Sequence, residues 1–261
     1  MGVRRAVELA SAEAQRSSSV YTLGQLIHNP KVLSDLEVIG VRSAASVSQI
    51  PLNEECSVVI RAHGISPAVE NKLRGTNCRI IDATCPKVKA SQLKAKELSS
   101  AGFYLFLAGE AEHAEIEGIM GYASQFCVAG NADEAQSAAA ALCKTNPNIK
   151  TALLGQTTIS EEEYNIISCE IKKYFPDTQV VQTICSATHE RQQSLRELLK
   201  EVCAVLVIGG KDSANTRRLF LIAQESGKPC ALIEDPLEIP ASFTITKQSV
   251  FALELQRLTI L

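Results

Sequence analysis

The sequence predicts an α/β protein built on parallel sheets with crossover helices. Short apolar runs alternate with helical segments along the whole chain, which is the pattern of parallel strands joined by helices. One unit also recurs, because an apolar run ends at Cys85 and another ends at Cys185, each followed by a helical stretch. A Glu-Leu pair follows each cysteine at the same offset, beginning at Glu97 and Glu197. We therefore expect a repeated α/β unit with its two thiols at one centre.

The composition is that of an ordinary globular chain. Hydrophobic residues make up 46% of the 261 residues and charged residues 21%, so two or three domains with sizeable cores are expected. The net charge of −3, the aromatic content of 5% and the lack of Trp argue against nucleic acid as the main partner. The sequence shows neither a signal peptide nor a long apolar span, which predicts a cytoplasmic protein with no membrane partner.

Nine cysteines are spread along the chain without any Cys-x-x-Cys pair. This spacing argues against zinc ribbons and thioredoxin-type motifs. Most of the cysteines are expected to be reduced core residues. Cys85 and Cys185 differ, because each stands where a strand passes into a helix, and a helix N terminus lowers the pKa of a thiol. Thiols spaced in this way suit an iron–sulfur cluster held between units.

The helices are predicted from apolar spacing and from start signals. Val3, Val7 and Ala10 give the first helix an apolar face. Pro30 and Pro86 suit first helical turns, where no amide donor is needed. The predicted helices are 1–15, 31–36, 66–73, 85–101, one entered by the polar segment 109–118, 132–142, one starting at 161–163, one ending at 195–201, and 219–225.

The strands are predicted from short apolar runs bounded by polar residues or glycine. Gly64 allows a tight turn directly after one of them. The predicted strands are 20–26, 38–41, 57–61, 80–81, 103–108, 126–129, 151–154, 180–184, 205–208, 230–233 and 250–253.

Polar side chains follow several of these strands, at the edge where open α/β sheets bind ligands. Imidazoles and hydroxyls at helix starts suit an anionic ligand such as a phosphate. Taken singly, each of them, like Glu115, also fits a solvated or helix-capping role, so it is their shared place in the repeated unit that favours a joint site. His189 and the other seven cysteines are expected to have no such role. The candidate ligand-binding groups are His28, His63 and His113, together with the hydroxyl and amide side chains of the loops 156–158 and 213–215.

Eight motifs, in order along nearly the whole chain, make the sequence resemble one known family. That family is 4-hydroxy-3-methylbut-2-enyl diphosphate reductase, the last enzyme of the non-mevalonate isoprenoid pathway. The motifs together are highly specific, although any single one would not be. They are GVRRA at 2–6, HN at 28–29, AHG at 62–64, DATCP at 82–86, HAEIEG at 113–118, QTT at 156–158, ICSAT at 184–188 and SAN at 213–215.

The resemblance implies three similar parallel-sheet α/β units in a pseudo-threefold trefoil around a central [4Fe–4S] cluster. From the repeat we place these units at 1–85, 86–182 and 183–261. By resemblance, Cys85 and Cys185 are two of three cluster ligands, and Glu115 relays protons. The residues implied to contact the substrate are His28, His63, His113, Thr157, Ser213 and Asn215.

The implied reaction is a two-electron reductive dehydroxylation. An allylic hydroxyl leaves as water, giving isopentenyl and dimethylallyl diphosphates, with electrons from a ferredoxin or flavodoxin. This reaction is chemically reasonable for such a site, since an open iron acts as a Lewis acid on the hydroxyl and a carboxylic acid donates the proton that makes it a leaving group. Glu115 would need a proton near neutral pH, which burial can provide.

The sequence departs from the family pattern at three places. The family's first cysteine stands one position before Met1, and its glycine- and alanine-rich loop with a diphosphate-binding serine has no match in 254–261. Ala214 stands where the family usually has a hydroxyl. These departures leave an alternative, a truncated, non-catalytic member of the same fold that binds a phosphorylated ligand without turnover. A weaker third interpretation is an interaction or scaffold protein with reduced core cysteines.

Overall fold

The structure is a computed structural model that describes residues 2–51, 55–241 and 243, and the backbone of Val250–Leu253. Over these residues the chain forms three parallel sheets flanked by helices, so the predicted α/β class is confirmed. The segment 254–261, where the family's serine loop has no match, lies outside the described residues, as does Met1. None of the described helices is long and apolar enough to cross a membrane.

The helices and strands alternate in the order that the sequence predicts. The helices are α1 Gly2–Ala14, α2 Pro30–Val38, α3 Pro67–Arg74, α4 Pro86–Ser100, α5 Ala114–Met120, α6 Ala132–Thr145, α7 Glu161–Lys172, α8 Ser186–Glu201 and α9 Ala214–Glu225. The strands are β1 Val20–Leu23, β2 Val41–Ala44, β3 Ser57–Ile60, β4 Arg79–Asp82, β5 Tyr104–Ala108, β6 Phe126–Ala129, β7 Thr151–Gly155, β8 Gln179–Val180, β9 Val205–Ile208, β10 Cys230–Ile233 and β11 Val250–Leu253.

The three sheets share one strand order. The first is β2-β1-β3-β4 and the second is β6-β5-β7-β8, which is the same order when each sheet is numbered from its own first strand. The third, β10-β9-β11, matches both in its three described strands. All the described strand pairs are parallel. The internal repeat is therefore real, and each sheet falls within one of the ranges 1–85, 86–182 and 183–261.

Each sheet is covered by the helix that the repeat places in front of it. Helix α1 packs against β1 and β3, with Val7 and Val59 in one buried cluster. Helix α4 packs against β5 and β7, with Leu98 and Leu105 in another, and α8 packs against β9 through Leu195. Helices also cover the opposite faces, which is why the central strands are buried along their length.

Three predicted strands are wrong in position or length. The predicted strand 20–26 ends already at Leu23. The segment 38–41 is not a strand, because α2 continues through Val38, whose side chain is 84% exposed, and the strand begins only after the chain turns at Gly40, where φ is +92°. The predicted strand 180–184 is reduced to Gln179–Val180. The Val181 N–H still donates to the Leu153 carbonyl oxygen at 2.9 Å, but beyond it the Thr183 hydroxyl replaces the ladder, since it accepts the Gly155 N–H at 2.8 Å and donates to the Gly155 carbonyl oxygen at 2.7 Å.

Candidate functional site

Three histidines from the first two units come together at the carboxyl ends of the strands. His28 follows β1, His63 follows β3, and His113 precedes α5. The ring centroids of His28 and His63 are 4.6 Å apart, those of His63 and His113 5.3 Å, and those of His28 and His113 6.0 Å. We call these three residues the histidine cluster. One ring nitrogen from each histidine lies within 4.8 Å of those of the other two, so one anionic group can contact all three.

The histidine cluster is neutral near physiological pH. Burial is the main cause that lowers the pKa of each imidazole, and the nearby positive charge of Arg61 lowers each further. The pKa of His113 falls to about 4. Its Nδ1 accepts a hydrogen bond from the Glu115 N–H at 3.2 Å, so the ring proton is on Nε2 and can be donated to a ligand. The Nδ1 atom of His63 is buried without a hydrogen-bond partner among the described residues, as expected of a nitrogen that serves a ligand.

The local sequence explains why these rings are held in place. Asn29, directly after His28, caps α2, because its side chain accepts the Val32 N–H at 3.1 Å. Gly64, directly after His63, has a φ of +73°, which turns the chain away from the strand. The backbone is thus fixed by a cap directly after His28 and by a turn directly after His63.

Glu115 forms the second part of the site. Its side chain is 2% exposed, and its two carboxyl oxygens accept the Thr157 N–H at 2.8 Å and the Thr157 hydroxyl at 2.9 Å. Burial raises the pKa of Glu115 to about 7, although the two hydrogen bonds from Thr157 act in the opposite direction. A large fraction of this carboxyl is therefore protonated at neutral pH and can act as an acid.

Cys85 and Cys185 occupy equivalent positions, directly before the first residues of α4 and α8. Both are half-buried free thiols. The Cys85 N–H donates to the Ala62 carbonyl at 2.9 Å, and the Cys185 N–H donates to the Thr157 carbonyl at 3.0 Å. A Cβ on Gly2 would lie 2.6 Å from the Cys85 sulfur, so α1 also begins at this thiol. Two sulfur donors at equivalent helix starts fit an iron–sulfur cluster.

The third unit borders the histidine cluster through the loop after β9. A Cβ on Gly210 would lie 1.9 Å from the His28 carbonyl oxygen, so only glycine permits this approach. Ser213 then caps α9, with its hydroxyl accepting the Thr216 N–H at 3.3 Å, and Asn215 is buried in the first turn. The structure therefore places every predicted site residue just after a strand or at the start of a helix. The loop between β9 and α9, which carries Ser213, lies against His28.

Sequence reasoning missed two residues that shape the site. Arg61, two residues before His63, lowers the pKa of the histidine cluster and lies 3.6 Å from Glu117. Gln156 is buried, and it accepts the Glu110 N–H at 3.1 Å while its Nε2 donates to the Thr158 hydroxyl at 2.9 Å. Arg61 directly precedes the AHG motif at 62–64, and Gln156 is the first residue of the QTT motif at 156–158. Their closeness to these motifs could have indicated a role in the site.

His189 has the ordinary role that was expected of it. Its Nδ1 lies 3.2 Å from a Glu161 carboxylate oxygen in a half-exposed pair. A cavity of about 570 Å³ opens at the carboxyl ends of β1, β2 and β3, and Arg61 and Glu117 line it. The cavity includes none of the histidine cluster, so the site is defined by the converging side chains rather than by this cavity.

Comparison with known proteins gives consistent matches over most of the chain. The model of the LytB protein family matches residues 1–252. A curated protein of Treponema denticola named 4-hydroxy-3-methylbut-2-enyl diphosphate reductase is 44% identical over 246 residues, which cover 92% of this chain and 84% of that protein. A protein of the same name from Aquifex aeolicus is 37% identical over 225 residues, which cover 86% of this chain and 76% of that protein.

Two solved structures are similar to this one. One, described as the structure of (E)-4-hydroxy-3-methyl-but-2-enyl diphosphate reductase, is 33% identical with a TM-score of 0.68 and covers 97% of this chain and 88% of that chain. A second, the E-1-hydroxy-2-methyl-but-2-enyl-4-diphosphate reductase of Plasmodium falciparum, has a TM-score of 0.87 over 97% of this chain and 78% of that chain. At 24% identity, the second likeness concerns the fold alone.

Proposed function

The chain belongs to the LytB protein family, and on that premise we propose that it is a 4-hydroxy-3-methylbut-2-enyl diphosphate reductase. In the proposed reaction the C–O bond of the allylic hydroxyl breaks and the hydroxyl leaves as water with one proton. Two electrons and a second proton form the new C–H bond of isopentenyl or dimethylallyl diphosphate. The observation that carries the proposal is the place of the buried Glu115, whose carboxyl is held by Thr157, directly beside His113 of the histidine cluster. The proposed site thus combines an acid with an anion-binding group.

The histidine cluster would bind the diphosphate. Neutral imidazoles donate N–H groups to phosphate oxygens without the cost of burying three positive charges before the substrate arrives. The orphaned Nδ1 of His63 supports this role, since a bound group would satisfy it. Ser213 and Asn215 would add a hydroxyl and an amide from the third unit, at the start of α9, where backbone N–H groups also favour an anion.

Glu115 would deliver the proton that turns the hydroxyl into water. Its pKa of about 7 keeps the acid form available at neutral pH. Thr157 would orient the carboxyl, because it holds both oxygens through its N–H and its hydroxyl. After proton transfer the same two donors would stabilise the carboxylate.

We propose an iron–sulfur cofactor of the [4Fe–4S] type. Cys85 and Cys185 would provide two thiolates, and the third that the resemblance implies would come from the position before Met1, upstream of Gly2, which lies against Cys85 where α1 begins. When bound, the cluster supplies electrons and an open iron that acts as a Lewis acid on the hydroxyl. The proposal includes a ferredoxin or flavodoxin as electron donor and a cytoplasmic location. It also includes the units 1–85, 86–182 and 183–261 in a pseudo-threefold trefoil.

Anaerobic iron and acid-labile sulfide content tests this proposal. It is measured for the chain, for a version extended upstream to a cysteine, and for the Cys85→Ser and Cys185→Ser variants of that version. We expect about four irons per chain in the extended protein and loss of iron in both variants. Cys169→Ser, which changes an exposed cysteine, is the matched control and should keep its iron.

Turnover is then assayed with the hydroxylated diphosphate and a reduced viologen dye as electron donor. We expect formation of both products by the iron-loaded protein and loss of turnover in Glu115→Gln. Failure of every form to hold iron would overturn the cluster assignment. Binding of inorganic pyrophosphate without any turnover by an iron-loaded protein would instead favour the non-catalytic alternative.

A further inference from the structure

Two buried glutamines occupy equivalent positions in the helices that follow the two cysteines. Gln92 in α4 stands seven residues after Cys85, and Gln192 in α8 stands seven residues after Cys185. Their exposed fractions are 1% and 4%. Seven residues are about two helical turns, so each glutamine lies on the same helix face as the cysteine before it. A buried amide must be hydrogen-bonded to offset its desolvation, so its partners indicate its role.

Each glutamine donates to a loop that carries a site residue. Gln92 Nε2 lies 3.5 Å from the Ile65 carbonyl oxygen, and Gln192 Nε2 lies 3.4 Å from the Thr158 carbonyl oxygen. The cysteine of the same helix already holds the same loop, through its N–H to Ala62 or Thr157. Each loop is thus attached to its helix at two points, and we call this arrangement the two-point clamp.

The side chain of Gln92 also fills the space between two units. A Cβ on Gly64 would lie 2.5 Å from Gln92 Nε2, and a Cβ on Gly118 would lie 2.8 Å from it. Gly64 directly follows His63, and Gly118 belongs to α5, the helix that carries Glu115. The amide of Gln92 therefore touches the loop that carries His63 on one side and α5, which carries Glu115, on the other.

We propose that Gln92 and Gln192 are positioning residues of this site. Gln92 completes the two-point clamp between α4 and the loop that carries His63, and Gln192 completes the one between α8 and the loop that carries Thr157. Gln92 sets the place of His63, and Gln192 sets the place of Thr157, which holds Glu115. The catalytic consequence of this inference rests on the proposed function, but the mechanical one does not. The clamp fixes the groups that bind and protonate the ligand relative to the thiols.

The test uses Gln92→Met and Gln192→Met, which keep the length of the side chain and remove the amide donor. Gln193→Met is the matched control, because it makes the same change at the exposed neighbouring position. Amide hydrogen exchange is measured in the full chain. We expect roughly five- to tenfold faster exchange, the equivalent of one lost neutral hydrogen bond, at the Cys85 N–H in the first variant and at the Thr157 N–H in the second. The control should exchange as the wild type does.

Kinetics of the iron-loaded protein provide a readout that general loss of packing would not give. Gln92→Met should raise KM several-fold because His63 binds the diphosphate, and Gln192→Met should lower kcat because Thr157 orients the acid. Iron content should stay unchanged in both. The Gln92→Glu and Gln192→Glu variants should regain activity at pH values where a buried carboxylic acid is protonated and can donate, and should lose it at higher pH.

The possible outcomes separate this inference from the proposed function. Unchanged exchange at both loops, or an equal change in Gln193→Met, would overturn the clamp even if the protein is an active reductase. Local acceleration of exchange in a protein that holds no iron would support the clamp while the proposed function fails. Faster exchange without any change in KM or kcat would overturn the positioning role.

Discussion

The strongest single test of the site chemistry is removal of the charge on Glu115. The change is Glu115→Gln, which keeps the shape of the side chain and lets its Oε1 still accept the Thr157 N–H. Burial places the pKa of Glu115 at about 7, against 4.5 for the free group. Because the folded-state pKa lies above the unfolded one, the stability that this group contributes is complete below pH 4.5 and is lost as the pH rises through 7.

The size of this effect follows from the two pKa values. Moving a pKa from 4.5 to about 7 corresponds to about 3 kcal/mol, at about 1.4 kcal/mol for each pH unit. Glutamine does not ionise, so the free energy of unfolding of Glu115→Gln, relative to the wild type, should rise by about 3 kcal/mol between pH 4.5 and a pH above 7. The histidine cluster has the opposite pH dependence, but both proteins contain it, so it cancels in the comparison.

Two measurements check this expectation. Infrared difference spectroscopy follows the C=O stretch of the protonated carboxyl, which should disappear with a midpoint near pH 7 and be missing in Glu115→Gln. Urea denaturation of both proteins across the same pH range gives the difference in stability. Glu112→Gln, which removes an exposed carboxylate from the same segment, controls for the loss of one negative charge. A stability difference that does not change with pH would refute the argument that burial protonates this carboxyl.

Three further predictions follow from the same geometry. Thr157→Val removes the hydroxyl that lies 2.9 Å from Glu115, and it should raise the carboxyl pKa by about one more unit in the infrared titration, since a bond to a charged group is worth about 1.5 kcal/mol. Binding of inorganic pyrophosphate at neutral pH should take up protons into the histidine cluster, because a bound anion raises lowered imidazole pKa values; calorimetry in buffers of different ionisation enthalpy would detect this uptake, and zero uptake would contradict it. Gly64→Ala should lower stability by about 1–3 kcal/mol in thermal denaturation, since φ is +73° there and the new Cβ would lie 2.5 Å from Gln92 Nε2.

The repeat could be predicted from the sequence because a cysteine stands at the same place in two of its units. Two apolar runs that end in cysteine predicted a duplicated unit, and the shared strand order of the sheets bears this out. Strand ends were harder to predict, because local composition does not say which groups complete the ladder. Val181 and Ile184 continue the apolar character of this segment, yet the Thr183 hydroxyl binds the Gly155 backbone in place of a strand partner. Only the tertiary structure could reveal that substitution.

The candidate site could be predicted as a set of residues, but not as a set of contacts. Histidines and hydroxyls after strands announce a ligand site by their position. The hydrogen bonds from Thr157 to Glu115 join two separate loops and have no sequence signature. Gln92 and Gln192 did have one, since both follow a cysteine by seven residues, but a buried amide cannot be told from an exposed one until the helix face is known.

Burial acts on the acid and on the imidazoles in opposite directions, and both effects suit an anionic ligand. It lowers the pKa of the histidine cluster and raises that of Glu115, so these four side chains carry little charge near neutral pH. A diphosphate would then bring negative charge against these neutral side chains, where few ions screen it. That charge raises the pKa of every nearby group, so it would protonate imidazoles and hold the proton on Glu115 more firmly. By this reasoning the ligand itself secures the proton that the proposed reaction consumes, and Glu115 needs no positively charged partner.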